Sequence, residues 1–443
     1  MTKAKIYYAR VDDAWTKQEK LGYLEKLEHI GNVEWQELTP DKKHTWLTEG
    51  LEDEFDTFIS IGNKETKDDS NDSAIFSNYG RGLESTRDSW VYNYNLEDLT
   101  SNISAFINTY NQEVYKWHHD RKSSDSIDSF VLYDDQKIKW SSRLKECLAA
   151  KHSIEFDSKK IRNSLYRPFS LQSLYFDEVL NHRRGQFHYI FPLSEIEREN
   201  QLIGLAGIGN RKEFGCCASN AIIALDFAFE KSQCFPFYTY DEDGTIRTGT
   251  ITDWSLELFQ TQYKDSKITK WDIFHYTYAL LHHPHYRQRY AANLKRELPR
   301  IPFAPEFHPF AKAGKRLTEI HINYEQQPEY RLKHIENKDL PIDWRVEKMR
   351  LSKDKTQIKY NDFLTLTGIP SEALEYRLGN RSALDWIIDQ YQISTDKRSC
   401  LTNDPNRLDD EEYIVRLIKQ VITVSLETVK IVKNLPDLGL PQD

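Results

Sequence analysis

Several residue patterns that mark whole protein classes are scarce or missing in this 443-residue sequence. Its five cysteines, Cys147, Cys216, Cys217, Cys234 and Cys400, show no metal-ligand spacing, and an odd, scattered set suits reduced thiols better than a disulfide framework. No glycine-rich loop ends in Lys-Ser/Thr, which excludes a nucleotide-driven motor from this segment. No long uncharged apolar run could cross a bilayer, and Met1-Thr2-Lys3-Ala4-Lys5 lacks the apolar stretch of a secretory signal. The expectation is a cytoplasmic chain without a membrane partner. Net positive charge is missing as well: the formal charge is -9, which argues against a general polyanion binder.

The distribution of charge argues the other way. From Lys137 to Arg167 there are nine Lys/Arg against three Asp/Glu, and from Leu281 to Arg316 eight against two. A chain that binds nucleic acid needs cations only where it faces phosphate; a solvated basic face is the alternative reading. Aromatics are abundant, at 13% with 25 Tyr and 10 Trp. Most of these are expected in the core, with some available to stack on bases.

The length suggests two domains or one large elaborated one. Lys5–Val11 and Phe55–Gly62 read as strands separated by helical segments. The first helix follows Asp12 or Asp13 and carries Leu21, Leu24 and Leu27; another starts at Thr39-Pro40-Asp41. This order suggests the last layer of an α/β sheet whose other strands lie upstream. Lys64–Asp72 reads as a loop, Leu96–Trp117 as an amphipathic helix, and Arg121–Ser126 as a linker. Ser129–Tyr133, Phe187–Phe191 and Leu202–Ile208 read as strands. Lys270–Arg296 reads as helix interrupted near Pro284, and Glu411–Leu435 as a helix ended by Pro436. The expected fold class is mixed, α/β and then α+β.

Chemistry-bearing motifs are mostly absent. Gly204-Leu205-Ala206-Gly207-Ile208-Gly209 has the wrong spacing for a dinucleotide fingerprint and suits a strand ending in a glycine turn. Asn403-Asp404-Pro405-Asn406 lacks the second proline and the aromatic of an adenine methyltransferase loop and reads as an Asx/Pro turn. His275, His282, His283 and His285 do not complete a four-ligand zinc set. Asp241–Gly244 reads as a hairpin turn. No nucleophile elbow supports a hydrolase, although a Ser–His–Asp or Cys–His arrangement is not excluded by residue type. What remains is arginines and amides presented by turns. They are Arg81 and Arg87 in the loop around Gly80-Arg81-Gly82, then Arg183, Arg184 and Gln186, then Asn210, Arg211 and Lys212, with Lys295 and Arg296 in a basic stretch. Arginine forks suit guanine and Asn or Gln suit adenine in a major groove; solvated polar turns are the alternative.

Tyr79–Asn93 also resembles the carboxy-terminal part of the type ISP restriction–modification enzymes. So do Asn163–Phe169, Gln233–Tyr238, Leu281–Arg287, Asn293–Pro302, Gly368–Pro370, Gly379–Leu384 and Asp396–Ser399, in the family's order. Those enzymes join a nuclease, a helicase-like motor, an adenine methyltransferase and a DNA target-recognition domain. The resemblance implies that residues 1–122 are the end of a methyltransferase-like domain and 123–443 the target-recognition domain. It implies duplex DNA as partner, together with the methyltransferase, helicase and nuclease portion in cis or as a separate subunit. The chain itself is then expected to use no cofactor, with S-adenosylmethionine and ATP/Mg handled by upstream domains. An enzyme of unknown class and a helical protein-binding scaffold are the rival readings. Cys400 departs from the family pattern, which has glycine after Lys397-Arg398-Ser399.

Overall fold

Backbone hydrogen-bonding needs and apolar spacing organise the chain into two compact units, Met1–Asp53 and Glu54–Asp443. The computed structural model describes residues 4–12, 15–42, 44–63, 73–122, 124–241 and 243–441. The loop expected over Lys64–Asp72 and the candidate cap Asp13 lie outside the described residues.

In the first unit Ile6–Tyr8 pairs antiparallel with Gln36–Leu38. The Lys17–Leu27 helix starts from Thr16 rather than Asp12, because Thr16 and Glu19 satisfy each other's backbone amides in a capping box. No described residue of this unit is buried; Leu21 is 49% and Leu24 59% exposed. The helix expected at Thr39-Pro40-Asp41 is a turn instead: Asp41 accepts from the Thr45 amide at 2.8 Å, a bond that competes with helix formation.

The second unit is mixed α+β. Ile59–Ser60 pairs with Arg300–Ile301, so it shares no sheet with Ile6–Tyr8. One four-stranded sheet runs Ile222–Ile223, Ile161–Arg167, Ser170–Tyr175, Tyr92–Asn93; another runs Gly80–Arg81, Gln233–Pro236, Leu202–Leu205, Cys216–Ser219. The Leu96–His119 helix turns Leu99, Ile103, Phe106, Ile107, Tyr110 and Val114 inward, as its spacing predicts. These side chains share a core with Leu144, Leu174 and the Tyr413–Lys433 helix. The serine-rich stretch expected as a linker therefore lies inside one unit with a continuous core on both sides. A second core joins the Gly80–Arg81 sheet to the helices Lys270–Leu280 and Phe307–Ile322.

The strands expected at Ser129–Tyr133 and Phe187–Phe191 are absent, and single helical turns overlap both segments. Ile127–Phe130 is set by a Ser126/Ser129 capping box, and Phe187–Ile190 follows Gly185, whose φ is +59°. Cys400 adopts the left-handed conformation that glycine favours, with φ 59°, and its amide still closes the turn onto the Asp396 carbonyl at 2.9 Å. Such a φ costs a side-chain-bearing residue about 1–2 kcal/mol. Cys400→Gly is therefore expected to stabilise the protein by roughly 1 kcal/mol in urea denaturation; an unchanged or lower midpoint contradicts the strain.

Candidate nucleic-acid interface

At one end of the Gly80–Arg81 sheet, Arg81, Gln233, Leu205 and Cys216 stand in register across four strands. Beyond this row the loops leave the sheet together. Gly82 donates to Ser232 at 3.0 Å, Gly207 to Glu230 at 3.4 Å and Ala206 to Gly215 at 3.1 Å. The packing is close enough that a Cβ on Gly207 would stand 2.0 Å from the Lys231 carbonyl oxygen. The Asn181–Gln186 loop lies against the same end. Glu84 and Arg183 exchange both backbone hydrogen bonds, at 3.0 and 2.9 Å. Gly185 permits this, since its φ is +59° and a Cβ there would stand 2.3 Å from the Arg81 carbonyl oxygen.

Three motif segments distant in sequence thus converge. Between the Tyr79–Glu84 and Arg183–Gln186 segments is a cavity of about 270 Å³ lined by Arg81, Glu84, Arg183 and Gln186, with Tyr79 and glycines in its wall. Arg81 and Arg183 are exposed, and among the described residues neither guanidinium nor the Gln186 amide has a side-chain partner. The two arginines are open to solvent, as a reading surface requires, and Gln186 is half-buried beside them.

The other expected residues divide by what holds them. Arg184 is tied to Glu178 at 3.4 Å and lies over the Phe176 ring. Arg211 forks onto Glu230, with its closest contact at 2.8 Å. Lys212 donates to the Ala228 carbonyl at 3.3 Å. Asn210 is buried and accepts from the Lys212 amide at 2.9 Å, so it shapes the loop. Lys295 and Arg296 are exposed at the end of the Ala291–Arg296 helix, where the helix dipole favours cations. The Lys295 carbonyl accepts from Gly209 at 2.8 Å, which joins this helix to the Asn210 loop.

Arg87 is a correction. It is fully buried, donating Nε to Lys139 O at 3.1 Å, Nη1 to Leu180 O and Nη2 to Ser141 Oγ at 2.7 Å. Burial lowers its pKa to about 10, so it stays charged at neutral pH as an internal strut and does not reach a surface. Sequence reasoning did not single out Glu84, which lines the cavity, nor Lys231 and Gln233 at the same sheet end. Lys231 is exposed, with φ 58°. The polar run Glu230–Gln233 between two aromatic-rich segments was a signal that could have found it.

The Arg81 cavity adjoins, at Glu84, a cleft of about 690 Å³ that contains Asp88, Tyr166 and Arg167. Burial and the neighbouring Asp88 carboxylate push the Tyr166 hydroxyl up, and it donates to Asp88 at 2.9 Å. Elsewhere, Cys216 Sγ lies 3.5 Å from His282 Nδ1, but burial pushes its thiol up to about 11. It is therefore no thiolate nucleophile near pH 7. His282 is held by the Tyr278 carbonyl at 2.8 Å and His283 by that of Pro436 at 3.2 Å. Among the described residues no group of His, Cys, Asp and Glu converges as a metal site.

A mixed α+β unit thus presents unpaired arginines and an amide from loops at one sheet end, the donor types that suit base edges. The family model for the Type ISP C-terminal specificity domain matches residues 74–418, and the chain belongs to that family. It is similar to a nuclease-deletion mutant of the Type ISP restriction–modification enzyme LlaGI in complex with a DNA substrate mimic. Identity there is 30% and the TM-score 0.85, covering 99% of this chain and 40% of that one. For the DrdV–DNA complex, identity is 33% and the TM-score 0.84, with 98% and 44% covered. For the ATP-dependent Type ISP enzyme LlaBIII bound to DNA, identity is 27% and the TM-score 0.84, with 99% and 28% covered. The chain thus spans less than half the length of these structures. No curated protein sequence matches it.

Proposed function

We infer that this chain reads the sequence of duplex DNA for a restriction–modification system, directing adenine methylation and licensing cleavage by other domains or subunits. The observation that carries this reading is the convergence of unpaired Arg81, Arg183 and Gln186 at one sheet end. Phosphate contacts fix register and base contacts specify; Lys295 and Arg296 fit the first role and the cavity residues the second. The family match from residue 74 and the core around Leu99–Trp117 favour a recognition fold that begins upstream of the 122/123 junction. Methyltransferase, helicase and nuclease are the partners, in cis or as a separate subunit. S-adenosylmethionine and ATP/Mg belong to them, since this sequence lacks the loops that hold either. No helix among the described residues is long and apolar enough to cross a membrane.

Filter binding to a pool of random duplexes across a salt series tests the reading. Wild-type affinity should fall steeply with salt. Lys295→Ala with Arg296→Ala should flatten the log–log slope by about 2, roughly 0.9 for each phosphate no longer neutralised. A protein that retains no duplex at low salt, or holds it with a salt-independent affinity, overturns it.

A further inference from the structure

Glu84 is out of place on a surface that only grips phosphate. It is the one carboxylate lining the 270 Å³ cavity, beside Arg81 and Arg183, yet it forms no ion pair with either among the described residues. A carboxylate facing DNA backbone adds repulsion; one facing base edges adds an acceptor. We propose that Glu84 is a specificity-determining residue that reads a C·G pair, accepting from the cytosine N4 amine while Arg183 forks onto the guanine. This assignment rests on the duplex-reading function proposed above and deepens it.

Two observations and the chemistry of base edges support the pairing. Glu84 and Arg183 form an antiparallel bridge, and directly opposed residues project to the same face with Cβ atoms about 5 Å apart. The bridge therefore holds their backbones together and places an acceptor and a fork of donors on the same face. In the major groove cytosine offers a donor through N4, and guanine offers O6 and N7 as acceptors, the arrangement that matches Arg best. The second observation is the support from neighbours. Leu83 N donates to Ile223 O at 2.8 Å and Leu225 N to Leu83 O at 2.8 Å, which ties Glu84's chain to a buried strand. Gly185 seals the other side.

Selection from a random duplex pool with the full chain tests the assignment, comparing wild type with Glu84→Ala and Glu84→Gln. The wild type should select a C·G pair at one position. Glu84→Ala should lose that preference, roughly ten- to hundredfold, and bind random duplex more tightly because a repulsive charge is gone. Glu84→Gln should turn the same position toward A·T, since a glutamine amide pairs with adenine. The other positions and the thermal unfolding midpoint should stay unchanged, which a merely structural role would not leave so. If the wild type selects a motif and both variants select the same one, the Glu84 assignment is wrong and the DNA-reading function stands. If the wild type selects nothing, both fall.

Discussion

Arg87→Ala is expected to destabilise the Glu54–Asp443 unit by about 3–5 kcal/mol, the cost of leaving three acceptors without their donor and a cavity in their midst. The guanidinium spans three acceptors on separate segments, Lys139 O, Leu180 O and Ser141 Oγ, and its central carbon lies 5.5 Å from the Phe106 ring centre. Alanine leaves two carbonyls and a hydroxyl without the donor that joined them. Arg87→Lys should also fail, because one ammonium cannot reach all three points. Trp90 is buried close by in the same turn, so urea unfolding followed by tryptophan fluorescence reads the loss. A variant with the wild-type midpoint but weakened DNA binding would return Arg87 to the surface role that its sequence motif suggests.

Gly185→Ala should abolish discrimination while sparing general DNA affinity. The left-handed backbone costs alanine about 1–2 kcal/mol, and its Cβ would stand 2.3 Å from the Arg81 carbonyl oxygen, a backbone atom that can yield only by moving the strand. Displacing Arg81 from Arg183 and Gln186 removes two good base-reading groups at about 1–3 kcal/mol each. The ratio of cognate to random affinity should drop by roughly a hundredfold or more in competition binding. Lys295 and Arg296, carried on a separate helix, should keep the salt dependence near wild type. A variant that still prefers the cognate duplex as strongly would show that the cavity does not read bases.

Long periodic elements were legible in the sequence. Leu96–His119 and Tyr413–Lys433 were expected within two residues at their ends, because a one-sided apolar stripe leaves few alternatives. Short elements were not. Ser129–Tyr133 reads as a strand by composition, yet a Ser126/Ser129 capping box draws its first two residues into a helical turn. Leu21 and Leu24 formed a plausible core stripe and are exposed. The loops carrying Arg81, Arg183 and Asn210 were recognisable as shaped turns, but which arginines remain unpaired depends on tertiary partners. Glu230 and Glu178 occupy Arg211 and Arg184, and no local pattern announces either pairing. Arg87 was misplaced for the same reason: its three acceptors become neighbours only when 139–141 and 180 fold against it.

The segment Glu230–Gln233 supports two recognition loops at once. Its carbonyls accept from Gly82 on one side and Gly207 on the other, while Glu230 holds Arg211 and Gln233 stands opposite Arg81. Energetically the two loops are therefore not independent, and substitutions in them should show interaction energies rather than add. A lineage drifting toward a new target site would have to change both loops as a coupled set, or route every single step through a weakened intermediate.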